Sequence, residues 1–165
     1  MKFTKMVLAS AAALALSACA NSSLLVENPY SGDYRSSTAM VEYDNSTVTV
    51  DDDNISYTQE KMTDAFFGGD EPLFAEGQGL TVRYRYLSFD EGSQALRYLA
   101  GPIAGGSKVV LEVDFVGPGD EVLSTVRGEG TVSGGFFGGS NKSGIDKAID
   151  EVAEYAAERF GSLTE

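Results

Sequence analysis

From residue 38 onward the chain carries a clear succession of strand and helix patterns. Thr38 to Val50 is rich in β-branched residues and alternates, which predicts one long strand or a hairpin turning at Asp44-Asn45. Asp51-Asp52-Asp53-Asn54 follows, with the cap and first-turn acids that suit the positive end of a helix. Ile55, Met62, Ala65 and Phe66 then form one apolar stripe on a helix that runs to about Phe67, where Gly68-Gly69 stops it. Leu80, Val82, Tyr84 and Tyr86 share one face of a period-two segment, with Arg83 and Arg85 on the other. Val109, Leu111, Val113 and Phe115 make the apolar face of a further strand. Gly117-Pro118-Gly119-Asp120 turns the chain, and Glu121 to Val132 returns, so 107–132 is a hairpin. The last element is a helix from about Gly144 to Phe160. Its stripe is Ile145, Ala148, Ile149, Val152, Tyr155, Ala156 and Phe160, and Ser143 and Asp146 have capping-box spacing.

The element order is therefore β-α-β-β-β-α. It predicts an α+β fold: a two-layer sandwich with a mostly antiparallel sheet of about four strands and two helices on one face. A total of 165 residues suits a single domain, placed at 38–165.

The N-terminus follows a different logic. Lys2 and Lys5 precede an uncharged stretch, Met6 to Leu16, that is too short to anchor in a bilayer and fits a secretory signal. It ends in Leu16-Ser17-Ala18-Cys19, which matches the lipobox of bacterial lipoproteins. Small residues fit the peptidase cleft, and the Cys thiol accepts the diacylglycerol. The match implies a signal peptide over 1–18, cleavage between Ala18 and Cys19, and lipidation at Cys19. Residues 19–37 are rich in Ser, Asn, Gly and Pro and read as an acylated flexible tether. Its Leu24-Leu25-Val26 patch would dock on the domain or lie against lipid. Ala20 after the Cys favours the outer membrane, facing the periplasm, in a Gram-negative host.

Charge and composition narrow the chemistry. Asp and Glu number 25 against 12 Lys and Arg, a net charge of -13. Cleavage removes Lys2 and Lys5 and no acid, giving -15. Nucleic acid is not an expected partner of such a chain, and its membrane partner is reached through lipid, not through a basic patch. With no His and one Cys, Ser-His and Cys-His nucleophile pairs are absent, as are most zinc and iron sites. No cofactor or metal is called for. Asp51-Asp52-Asp53-Asn54 fails as a calcium loop, because Ser56 and Met62 stand where that loop needs Gly and Glu.

Two stretches remain as candidate sites. Gly134, Gly135, Gly138 and Gly139, flanking Phe136-Phe137, lie between a strand and a helix. Asn141 stands where a phosphate loop needs Gly, so these glycines serve a close-packed crossover or a weak anion site. Arg83, Arg85 and Arg97 either form a ligand-facing patch or pair with neighbouring carboxylates. Neither Ser-x-x-Lys nor Gly-x-Ser-x-Gly occurs.

Four stretches resemble the DUF4410 family of bacterial envelope proteins. They are Leu80–Tyr86 leading to Phe89-Asp90-Glu91-Gly92-Ser93, and Leu96-Arg97-Tyr98 with Gly101 to Gly106. Then come Ser107 to Phe115, and Ser133 to Gly139 with the terminal helix. Together they span about half the chain; residues 38–78 look shorter than the family's opening. The resemblance implies a helix-and-sheet domain at the cell envelope and, since that family's activity is not established, no catalytic residue. The expected function is that of a membrane-anchored envelope lipoprotein with a non-catalytic domain that binds a protein or assembles with itself. The alternatives are a small-ligand or glycan-binding module, using the three arginines and the glycine loop, and a hydrolase working with carboxylates alone.

Overall fold

Asp51 sets the start of the first helix: its carboxylate accepts from the Asn54 backbone N–H at 2.9 Å and from the Asn54 side chain at 2.6 Å. The computed structural model describes residues 22–44, 48–90, 107–132 and 141–162. In chain order the elements are β1 (Ser22–Asn28), β2 (Thr38–Tyr43), α1 (Asp52–Phe67), β3 (Ala75–Glu76), β4 (Leu80–Asp90), β5 (Ser107–Val116), β6 (Val122–Val132) and α2 (Asn141–Phe160). The strands form one sheet in the order β1-β6-β5-β4-β2-β3. β2 runs parallel to β3 and β4, and the other pairs are antiparallel.

The α+β class is as expected, but the sheet has six strands rather than about four and is mixed. Two strands account for the difference. β3 is a two-residue edge beside Thr38 and Ala39. β1 comes from the segment read as a flexible tether, and the composition of that segment concealed its period. Leu24 and Val26 point inward while Ser23, Leu25 and Glu27 point out, so the apolar triplet straddles both faces of a strand. Residues 30–36 of that segment are also held. The Tyr30 and Phe160 rings lie 5.1 Å apart, Tyr34 Oη donates to the Gly79 carbonyl at 2.6 Å, and Ser36 N donates to the Phe160 carbonyl at 2.9 Å.

The Thr38–Val50 segment yields only β2; no hairpin forms at Asp44, and residues 45–47 lie outside the described residues. α1 then carries the chain back, so β4 begins at the same end as β2 and the two pair in parallel. α1 buries Asn54, Thr58, Met62 and Phe66. This differs from the expected stripe: the i, i+4 row turns Ile55 and Ala65 to the margin. α2 starts three residues earlier than expected, which places Ser143 inside the helix and removes its capping role. Asp146 accepts instead from Tyr57 Oη at 2.8 Å, tying the two helices together.

Both helices cover the sheet face that carries Leu80, Val82, Tyr84, Tyr86, Leu111, Val113, Phe115 and Val126, all fully buried. α2 lies close because β6 offers Gly128 and Gly130 beneath it. A Cβ on Gly130 would sit 2.7 Å from the Gly144 carbonyl carbon, and one on Gly128 would strike the Ala148 carbonyl oxygen. The opposite sheet face has no helix on it among the described residues.

Candidate functional site

The sheet face opposite the helices is built by the polar half of each alternating strand. β4 contributes Arg83 and Arg85, β5 contributes Glu112 and Asp114, β6 contributes Arg127, and β1 contributes Glu27. Register brings them together: Arg85 lies opposite Glu112, and Glu112 opposite Arg127. Charges of alternating sign then run across the sheet. Arg85 reaches Asp44 at 3.4 Å, Asp114 at 3.5 Å and Glu112. Arg127 Nε lies 2.9 Å from the second oxygen of Glu112, and its Nη1 lies 2.8 Å from Glu27. Arg83 pairs with Glu42 at 3.3 Å, and Lys108 with Glu129 at 2.9 Å.

Glu112 is the centre of this row, with only 8% of its side chain exposed. Burial works to raise its pKa. The hydrogen bonds and charges of Arg127 and Arg85 outweigh that and hold the carboxyl below its ordinary range. At neutral pH it is therefore a fixed anion, unsuited to giving or taking protons. The Arg85 guanidinium loses some affinity for its proton through burial but gains more from Glu112, Asp114 and Asp44, so its pKa is raised. The face is a paired mixed-charge surface, and Arg83 and Arg85 are committed to carboxylates rather than presented to a ligand. Arg97, Gly134, Gly135, Gly138, Gly139, Ala18 and Cys19 lie outside the described residues.

Glu112, Arg127 and Glu27 were not singled out by sequence reasoning. A signal existed: in β5 the acids Glu112 and Asp114 interrupt the Val109–Phe115 apolar positions in the same phase as Arg83 and Arg85 in β4. Which acid meets which base depends on register, and that needs the strand pairing.

A second polar feature lies between the helices. Lys61, Asp64, Ala65, Asp146, Ile149 and Asp150 line a cleft of about 310 Å³. Burial, then the charges of Asp146 and Glu151, raise the Asp150 pKa. Above it, burial followed by the Asp146 hydrogen bond pushes Tyr57 up to about 12, and the Lys142 ammonium sits 4.6 Å over the Tyr57 ring.

No family model matches the chain, and no curated protein matches it. Among solved structures it is similar to a variant PelC dodecamer from Paraburkholderia phytofirmans. The identity is 12% and the TM-score 0.50, over 84% of this chain and 98% of that one. A PelC dodecamer from the same organism in another crystal form gives 13% identity and a TM-score of 0.47, over 86% and 99%. At such identity the likeness is one of fold. Among the described residues no helix is long and apolar enough to cross a membrane.

Proposed function

We propose that this chain is a lipid-anchored envelope protein, held through Cys19 at the outer membrane on its periplasmic side, whose α+β domain works by assembling with further copies of itself rather than by catalysis. The observation that carries the reading is β1. It is a seven-residue edge strand with no Lys and no Pro, and nothing among the described residues pairs with its outer side. Its Leu25 is 56% exposed. Edge strands of this kind are templates for another strand unless something blunts them. The opposite edge is also incomplete, because β3 covers only Thr38 and Ala39 of β2 and, among the described residues, leaves Met40, Val41 and Glu42 without a strand beyond them. β1 and β2 run in opposite directions within the sheet, so β1 of one copy meets β2 of the next as an antiparallel pair, head to tail. The fold likeness to a protein solved as a dodecamer supports the same reading.

Mass measurement of the intact lipidated protein in mild detergent tests it. A discrete multiple of the monomer mass is expected, and a monomer across micromolar concentrations overturns the reading.

The cleft between α1 and α2 favours one second reading, a small-ligand module. Three carboxylates beside Lys61 suit a polar, cationic ligand better than the anion expected of an arginine patch. A rise in melting temperature with such ligands at millimolar concentration would support it.

A further inference from the structure

We infer that one particular end of the domain, the end where β1 begins, is held directly against the lipid surface. The inference rests on the Cys19 anchor and goes beyond it. A flexible tether over residues 19–37 would let the domain tumble freely above a membrane. The fold removes that slack, since the chain enters the sheet at Ser22 and stays engaged through Ser36. From Cys19 to Ser22 there are three peptide links, so the two Cα atoms lie at most about 11 Å apart. Nor can β1 peel away easily to lengthen the tether. It pairs with β6 from Ser22↔Gly130 to Asn28↔Thr125, buries Leu24 and Val26 against the core, and is fastened by Glu27–Arg127 at 2.8 Å and by Ser124 Oγ to the Asn28 carbonyl at 2.7 Å.

Strand direction says what shares that end. Ser22 lies beside Gly130 in β6 and, across it, Val109 in β5. The close of β4, the opening of β5, the close of β6 and the start of α2 are therefore at the lipid surface. The β5–β6 turn is at the other end: Val122 is eight residues from Gly130, about 26 Å along the strand. Charge is mixed at both ends: Lys108, Lys142 and Lys147 stand with Glu129, Asp51, Asp52 and Asp53 at the near end, and Arg35 and Arg159 with Asp70, Glu71, Glu76, Asp120 and Glu121 at the far end, so the orientation rests on the anchor and on strand direction. Copies anchored on one membrane then share one direction, as the head-to-tail contact requires.

The test uses the full lipidated chain in vesicles of phosphatidylethanolamine and phosphatidylglycerol containing nitroxide-bearing lipid. A fluorophore is placed on Lys108→Cys at the near end or on Glu121→Cys at the far end. Several-fold stronger quenching of the near label is expected. Insertion of about twenty Gly and Ser residues between Asn21 and Ser22 should abolish the difference while the protein stays on the vesicles. Equal quenching of both labels in a lipidated chain overturns the inference alone. Intact mass showing no acyl chains on Cys19 overturns the anchor itself, and the inference with it.

Discussion

Glu112 and Arg127 face each other across β5 and β6 with 2.9 Å between carboxylate oxygen and guanidinium Nε, and Arg85 grips the other oxygen of the same carboxylate. Removing the carboxylate leaves two guanidinium groups side by side on a face that buries their partner. Glu112→Ala should cost about 2–3 kcal/mol, below the roughly 3–5 kcal/mol for breaking a fully buried pair because Arg85 and Arg127 keep partial access to water. Denaturant midpoints of the wild type and the variant measure it, and a loss below about 0.5 kcal/mol would show the row to be decorative.

The same carboxylate gives a pH dependence of definite sign. Its folded pKa lies below its ordinary value of 4.5. Its contribution is therefore fully present above pH 4.5 and is lost as the pH falls through the depressed folded value. Melting temperature should drop more steeply for the wild type than for Glu112→Gln between pH 5 and pH 2. Parallel curves would contradict the assignment.

Tyr84 and Tyr86 point the same way from β4 but differ in what their hydroxyls meet. Tyr86 Oη bonds with Thr58 Oγ1 and donates to the Asn54 carbonyl at 3.2 Å, stitching the sheet to α1. Tyr84 Oη is buried with no hydrogen-bond partner among the described residues. Tyr86→Phe should lose about 1–2 kcal/mol, whereas Tyr84→Phe should be neutral or stabilising by up to about 1 kcal/mol, since it removes an unpaid desolvation cost. Equal losses in the two variants would mean that Tyr84 has a partner in solution.

Of the two β6 glycines beneath α2, Gly130 leaves the less room for a Cβ. Any Cβ there meets the Gly144 main chain, which cannot move without shifting the helix start. Gly130→Ala should destabilise the domain by about 2–4 kcal/mol through overpacking. Thermal melts give the number, and an unchanged midpoint would show that α2 rides loosely on the sheet.

Local pattern made much of this fold legible. The alternation of Leu80–Tyr86, the 107–132 hairpin with its Pro-Gly turn, the acids before α1 and the stripe of α2 each announce an element from within a single stretch of chain. What was missed depends on distant partners. β1 is a strand because β6 has an edge to offer it. Gly128 and Gly130 matter because α2 passes over them. The fate of Arg83 and Arg85 followed from register, which puts Asp44, Glu112 and Asp114 around one guanidinium. Register is fixed by the whole sheet and leaves no mark within any one strand.

The assembly edge gives the last expectation. Leu25 lies opposite Arg127, which already pairs with Glu112 and Glu27, and on the outer strand, so a carboxylate there stays beside a guanidinium while placing charge on the edge. On the neighbouring copy it would approach the β2 edge that carries Glu42. Leu25→Glu should therefore keep the unfolding free energy of the isolated fold within about 0.5 kcal/mol of the wild type, and still lower the assembled mass to that of a monomer. Velocity sedimentation of the detergent-solubilised protein separates the two effects. An assembly that survives Leu25→Glu with unchanged mass would exclude β1 as the contact, and would turn attention to the charged face beside it.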